Sequence, residues 1–391
     1  MRLLSDKLLL TKYKGHILTA RKADNEIVEM NFEPEGSGTI VGNIYVGRVE
    51  NVVKNINAAF VSYEKGMTAY LPLEDKVLHQ GDLIVIQIVN EAIKTKPPKA
   101  SMDFSLTGRY AVVTHGKPGL GISSKITDKR LREELKARFE SFTLEECGIV
   151  IRTNAADASV EEIEAELEAL LAKYETIIKY AGMRSAHTLL HEEEKAYVIA
   201  LRSINFNEVS QIVTDDKTVF EDVEAYIKVY DKKVLDKLVY MYEEQSVLKL
   251  HGLESVIKQA LSERVWLKCG GYLVIQPTEA LTVIDVNSGK CVLKKKTLKE
   301  TIKKVNLEAC EMIAKQLRLR NLSGIIIVDF IDMEDENDRE ELLKTLKTYI
   351  ETDLVKTLLI DMTKLNLVEI TRQKIKKPVY EQLKDSGYAG N

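Results

Sequence analysis

Two aliphatic runs in the chain end in aspartate, and that pattern carries the clearest chemistry. In ALTVIDVNSGK the run closes on Asp285, with Asn287 two residues on and Gly289 opening a turn; in GIIIVDFIDM consecutive aliphatics deliver Asp329, with Asp332 three further. A buried strand that terminates in a carboxylate pushes that group to the rim of its sheet, and two adjacent strands doing so bring like charges together. Such a pair repels unless a cation lies between, and hard oxygen ligands suit Mg²⁺, which takes one or two carboxylates plus substrate phosphates. The competing reading is that each aspartate caps the turn or helix that follows it. Asn287 favours the metal, because a neutral amide orients a water or a phosphate oxygen without adding repulsion.

Other groups are candidates for anion and base contacts. Lys290, Lys294, Lys295, Lys296, Lys299, Lys303 and Lys304 follow the first acidic strand end, and Arg318 and Arg320 precede the second. A lysine run is either a solvated face or, so close to a metal-type strand end, a partner for a phosphate backbone. In IVIRTNA, Arg152 and Thr153 end a strand; a guanidinium fork beside a hydroxyl suits a terminal phosphate, although such pairs also serve structure. Phe60 and Tyr70, with Lys96 nearby, are stacking residues of the kind oligonucleotide-binding barrels use, while Phe60 in AAFV also suits a core. His187 and His191 stand four apart on an expected helix, where a solvated face is favoured over a metal site. The GxxxxGK[ST], GxSxG and HExxH patterns are absent.

These residues need elements to position them. The 391 residues suffice for roughly two to three domains at about 150 residues each. Lys and Arg number 56 against 60 Asp and Glu, a net charge of −4, so any basic surface is local. Residues 38–73 are short runs of Val, Ile, Tyr and Phe broken by Gly and Asn, as in a small barrel, and Leu83 to Val89 adds a strand before a boundary near 100. Strands are expected at Tyr110 to Thr114 and Gly148 to Arg152, with a helix over Asp128 to Phe142. Ser159 and Glu162 have capping-box spacing before a long amphipathic helix expected over about 160–195. From about 262 onward strands and helices alternate, which argues a sheet covered by helices with chemistry at strand ends. Cys147, Cys269, Cys291 and Cys310 form no CxxC pair and read as reduced thiols; the N-terminus lacks a signal-peptide core, and no apolar run is long enough to span a bilayer, so a cytoplasmic location is expected.

The segments VGNIYVGRVENVVKNINAAFVSYEKGMTAYLPL, IVIRTNA, TEALTVIDVNSGK, NLEACEMIAKQLRLRNLSGIIIVDFIDM and LVEITRQK together resemble the ribonuclease E/G endoribonucleases, from about residue 38 to about 376. The resemblance implies a multidomain fold of mixed α+β and α/β character. An S1 (OB-type) RNA-binding barrel would occupy 37–102, a 5′-sensor region 103–198, a discontinuous RNase H-like subdomain 1–36 plus 199–261, and a DNase I-like catalytic subdomain 262–391. It further implies that Asp285 and Asp329 hold Mg²⁺, for which Mn²⁺ would substitute, with Asn287 assisting. Arg152 and Thr153 would receive a 5′-monophosphate, walled by Gly108 and Val112, and Phe60, Tyr70 and Lys96 would hold RNA. Relatives commonly continue into a CPxC motif that shares zinc between chains; no cysteine follows Cys310 here, so zinc is not expected and any homo-oligomer would form without that link.

The function so implied is Mg²⁺-dependent endonucleolytic cleavage of single-stranded RNA, rRNA precursors and mRNA included, to 5′-phosphate and 3′-hydroxyl ends, stimulated by a 5′-monophosphate and involving no membrane. The rivals are a non-catalytic S1-type RNA-binding or assembly protein, and a DNase or phosphatase built on the same α/β domain.

Overall fold

The structure, a computed structural model, describes residues 6–384 except 37–39, 75, 93–95, 143–144, 208, 231, 243–245 and 292–296. The chain divides into two compact units: Met1–Glu35, Glu208–Glu221 and Asp236–Asn391 form one, and Gly36–Asn207 with Asp222–Leu235 form the other.

In the second unit the β-branched and aromatic runs of the N-terminal third become five strands: Ile44–Val53, Ala58–Glu64, Met67–Pro72, Leu83–Asn90 and Lys99–Ser101. Ile44–Val53, Ala58–Glu64 and Met67–Pro72 pair in sequence, Lys99–Ser101 lies between Met67–Pro72 and Leu83–Asn90, and Leu83–Asn90 pairs back onto Ile44–Val53, closing a five-stranded barrel consistent with an S1 OB fold. Alternate residues, among them Tyr45, Val49, Val61, Leu71 and Ile86, fill the interior. Gly47 is required there, because a Cβ at that position would lie 2.5 Å from Val61 Cγ1.

A second sheet in this unit orders Gly119–Ile122, Cys147–Ile151, Ala111–His115 and Ser105–Thr107. Against it packs the helix Val160–Ala181, which begins with the expected Ser159–Glu162 capping box and buries Ile163, Leu167, Tyr174 and Ile177. This helix is shorter than the sequence suggests. Gly182 ends it, His187 adopts a left-handed φ of +68°, and Thr188–His191 becomes a strand on the barrel strand Ile44–Val53. An open strand edge offers backbone partners that a further helical turn would forgo. The two histidines therefore do not share a helix face. His187 Nε2 meets Ser62 Oγ at 2.7 Å, and burial pushes His191 down to about 4.

The first unit contains two sheets. The meander Asp6–Tyr13, His16–Ala23, Glu26–Pro34 is extended by the parallel strands Val209–Thr214 and Leu238–Tyr240, so residues some 200 positions apart in sequence share one sheet. The other sheet orders Arg264–Trp266, Tyr272–Pro277, Leu281–Asn287, Gly324–Asp329, Leu367–Arg372 and Thr357–Met362. Only its central pair, Leu281–Asn287 with Gly324–Asp329, is parallel. A parallel pair needs a crossover, and the helix Leu298–Leu319 supplies it. That helix and Glu336–Ile350 cover the sheet face carrying Ile284, Val286, Ile326, Val328 and Ile370.

One ion pair is sealed into this sheet. Arg372 Nε donates to Asp353 Oδ2 at 2.8 Å, with side-chain exposures of 4% and 5%, and Arg372 Nη1 reaches Asn321 Oδ1 and Leu322 O. Removing one partner of such a pair leaves the other charge buried and uncompensated. Arg372→Met is therefore expected to lower unfolding free energy by about 3–5 kcal/mol in urea titrations; a loss within experimental error would show that the pair does not hold the sheet edge.

Candidate active site

Parallel pairing sets Asp285 directly beside Asp329 in register. Strand neighbours are about 4.8 Å apart and paired residues project to the same side of a sheet. Ile284, Val286, Val328 and Phe330 enter the helix-covered core, so the intervening aspartates face the opposite side. Burial, and then the negative charges of Asp285 and Asp332, raise the Asp329 carboxyl above its ordinary value. This is the electrostatic stress a cation would relieve.

The carboxylates are held by amides. Asn287 Nδ2 donates to Asp285 Oδ2 at 2.6 Å, and Asn366 Nδ2 donates to Asp332 Oδ1 at 3.1 Å. Asn306, fully buried in the crossover helix, clamps the segment after Asp329 from both sides: its Nδ2 donates to Ile331 O at 2.7 Å and its Oδ1 accepts from Ile331 N–H at 3.2 Å. Asn306 is a residue the sequence reasoning misses; its signal is an amide, one of two with Gln316, among the mostly apolar buried positions of that helix.

Among the described residues, no group of three or more His, Cys, Asp or Glu is placed to hold a metal. Two adjacent carboxylates in register, one of them bonded by an amide, offer the hard oxygen donors that suit Mg²⁺. They do not resemble the closed nitrogen and sulfur sets of structural zinc.

The lysine run is divided by the fold. Lys299 pairs with Asp335 at 2.7 Å, and Lys303 with Asp338 and Glu341 at 2.7 Å each, because the crossover helix lies against the acidic Glu336–Ile350 helix. Those two lysines support helix packing, so of the two readings of the lysine run the structural one holds for them. Lys294, Lys295 and Lys296 lie outside the described residues. Arg320 is likewise structural: it is 5% exposed, bonds Gln316 Oε1 and Gln259 O, and burial brings it down to about 10. Arg318 Nη1 bonds Thr352 Oγ1.

In the other unit, Arg152 and Thr153 follow the strand Cys147–Ile151. The Arg152 guanidinium donates to Gly108 O, its backbone N–H donates to Tyr110 O at 2.7 Å, and Thr153 Oγ1 lies 2.9 Å from Ser123 Oγ. Val112 pairs in register with Val150, so the structure brings Gly108, Val112, Arg152 and Thr153 to one sheet end. On the barrel, Phe60 and Tyr70 are register partners on adjacent strands, edge-on with centroids 6.2 Å apart and both partly exposed. Lys96 is exposed, and Pro98 O accepts from Tyr70 N–H at 2.8 Å, tying the Lys96 segment to the aromatic pair.

An OB-type barrel and a carboxylate pair on a mixed sheet define a class of protein, and comparison with known proteins narrows it. The profile of the ribonuclease E/G family matches residues 105–375. Ribonuclease G of Haemophilus influenzae is 33% identical over 379 residues, spanning 91% of this chain and 77% of that protein. Ribonuclease G of Escherichia coli K12 is 32% identical over 373 residues, spanning 90% and 76%. Ribonuclease E of Synechocystis is 32% identical over 359 residues, spanning 87% and 53%. The chain belongs to the ribonuclease E/G family of endoribonucleases.

The raised Asp329 carboxyl has a consequence for stability. An acid whose folded pKa lies above its unfolded value stabilises the fold while protonated, and that contribution is lost as pH rises through the folded pKa. In EDTA at neutral pH, Asp329→Asn should therefore melt at or slightly above wild type, with the gap closing on acidification into the ordinary aspartate range. A variant that melts lower at neutral pH would show that the carboxylates do not stress the fold.

Proposed function

We propose that the protein is a Mg²⁺-dependent endoribonuclease that hydrolyses single-stranded RNA to 5′-phosphate and 3′-hydroxyl ends, is stimulated by a 5′-monophosphate, and acts in cytoplasmic processing and decay of rRNA precursors and mRNA. The observation that carries this is the in-register placement of Asp285 and Asp329 with the crowded Asp329 carboxyl. In this reading residues 262–391 are the DNase I-like catalytic subdomain, 1–36 with 199–261 the RNase H-like subdomain, 37–102 the S1 domain and 103–198 the 5′-sensor.

Asp285 and Asp329 would hold the ion, with Mn²⁺ accepted by the same oxygen set. Bound there, it supplies Lewis-acid polarisation of the scissile phosphate and a lowered pKa for an attacking water. Asn287, bonded to Asp285, fixes the direction of that carboxylate's remaining lone pairs. Phe60 and Tyr70 offer aromatic surface on which splayed bases stack, with Lys96 meeting the backbone, so selection rests on strand accessibility rather than groove readout. Arg152 and Thr153 match the oxygens of a terminal monophosphate. Among the described residues, no helix is long and apolar enough to cross a membrane.

Two measurements test the reading. Asp329→Asn, assayed with a 5′-monophosphorylated AU-rich oligoribonucleotide and Mg²⁺, should lose about a hundredfold or more in rate; undiminished cutting would remove the metal assignment. Arg152→Ala should abolish the preference for a 5′-monophosphate over a 5′-hydroxyl, and a preference equal to wild type would remove the sensor. Mg²⁺-independent RNA binding without product would point to the non-catalytic alternative.

A further inference from the structure

The helix Val160–Ala181 buries an apolar stripe that includes Ile163, Leu167, Tyr174 and Ile177, and within that stripe stands a glutamate. Glu166 is 8% exposed. A carboxylate in such a position is costly unless donors surround it. Here three backbone amides do so: Oε2 accepts from Arg109 N–H at 2.8 Å, and Oε1 accepts from Tyr110 N–H at 2.7 Å and Ala111 N–H at 2.9 Å. These are successive residues of one turn, which also closes on itself through Gly108 N–H to Ala111 O at 2.8 Å.

The same turn supports the candidate phosphate pocket. Its Gly108 O accepts from the Arg152 guanidinium and its Tyr110 O from the Arg152 backbone N–H. Gly108 must lack a side chain because of Glu166: a Cβ there would lie 2.3 Å from Glu166 Oε1. The carboxylate thus determines both the course of the turn and the residue that begins it, and the turn in turn orients Arg152.

We propose that Glu166 is the positioning residue of the 5′-phosphate pocket, shaping the Gly108–Ala111 turn from behind so that Arg152 is set to receive a terminal phosphate. The inference rests on the proposed role of Arg152 and Thr153. An aliphatic residue would pack equally well in the helical stripe and would leave three amides without an acceptor; the carboxylate serves the pocket's geometry.

The test measures kcat and KM of the full-length chain on one oligoribonucleotide carrying either a 5′-monophosphate or a 5′-hydroxyl. In Glu166→Ala the KM for the monophosphorylated RNA rises and the monophosphate-to-hydroxyl ratio of kcat/KM falls by about tenfold toward that of Arg152→Ala. Glu166→Gln gives an intermediate ratio, because its amide oxygen still accepts from Tyr110 and Ala111 while its NH₂ cannot accept from Arg109. A wild-type ratio in Glu166→Ala, or equal losses on both substrates, overturns the proposal by reducing Glu166 to a support for folding. A ratio lost in Arg152→Ala but intact in Glu166→Ala overturns the role of Glu166 alone; a wild-type ratio of one, unmoved by Arg152→Ala, removes the phosphate reading and this inference with it. Should Glu166→Ala not fold, Glu166→Gln carries the test, since it keeps an acceptor for Tyr110 and Ala111 and loses only the one for Arg109: a lowered monophosphate-to-hydroxyl ratio supports the proposal and a wild-type ratio overturns it.

Discussion

Like charges brought together by backbone pairing are the constraint around which the six-stranded sheet of the first unit is organised. Two parallel strands in register leave Asp285 and Asp329 no freedom to separate except by side-chain rotation. Everything nearby follows from holding that pair: the crossover helix that a parallel pair requires, the apolar sheet face it covers, and the amides of Asn287 and Asn306 that fix where the carboxylates and the following segment lie. Two anions held side by side raise each other's proton affinity, and the Asp329 carboxyl is raised by burial and by its acidic neighbours.

A second theme runs through both units. Single buried polar groups, each packed among apolar side chains, set the course of the segments beside the candidate site residues. Asn306 does this for the segment after Asp329, Glu166 for the turn beside Arg152, and the Asp353–Arg372 pair for the end of the strand Leu367–Arg372. In each case the group is satisfied by backbone atoms or by a fully desolvated partner, so a displaced loop would leave a buried polar atom unpaired. That penalty makes such loops hold one geometry.

The net charge of −4 takes on a local meaning in this arrangement. Lys299 and Lys303 are neutralised by Asp335, Asp338 and Glu341 on the neighbouring helix, and Arg320 is enclosed by its own unit. A count of cations along the sequence therefore overstates what a phosphate backbone would meet. A surface that reads single strands need not be basic overall, because stacking on aromatic faces such as the Phe60–Tyr70 pair works through any base.

The acidic strand ends, the barrel's short β-branched runs, and the Ser159 capping box were legible because each is a local pattern: a periodicity, a composition or a spacing that backbone geometry reads directly. The end of the long helix was not, since a barrel edge brought from far away in sequence competed for residues 188–191 and separated His187 from His191. Glu166 and Asn306 were not legible either, because their partners are backbone groups 55 to 57 and 25 residues distant, and nothing in a helical stripe says which loop will fold against it. By itself the sequence determined which residues could do chemistry and which family the chain resembles. Only the tertiary structure decided which of them meet, because register, crossover and long-range polar contacts are set by packing between segments rather than within them.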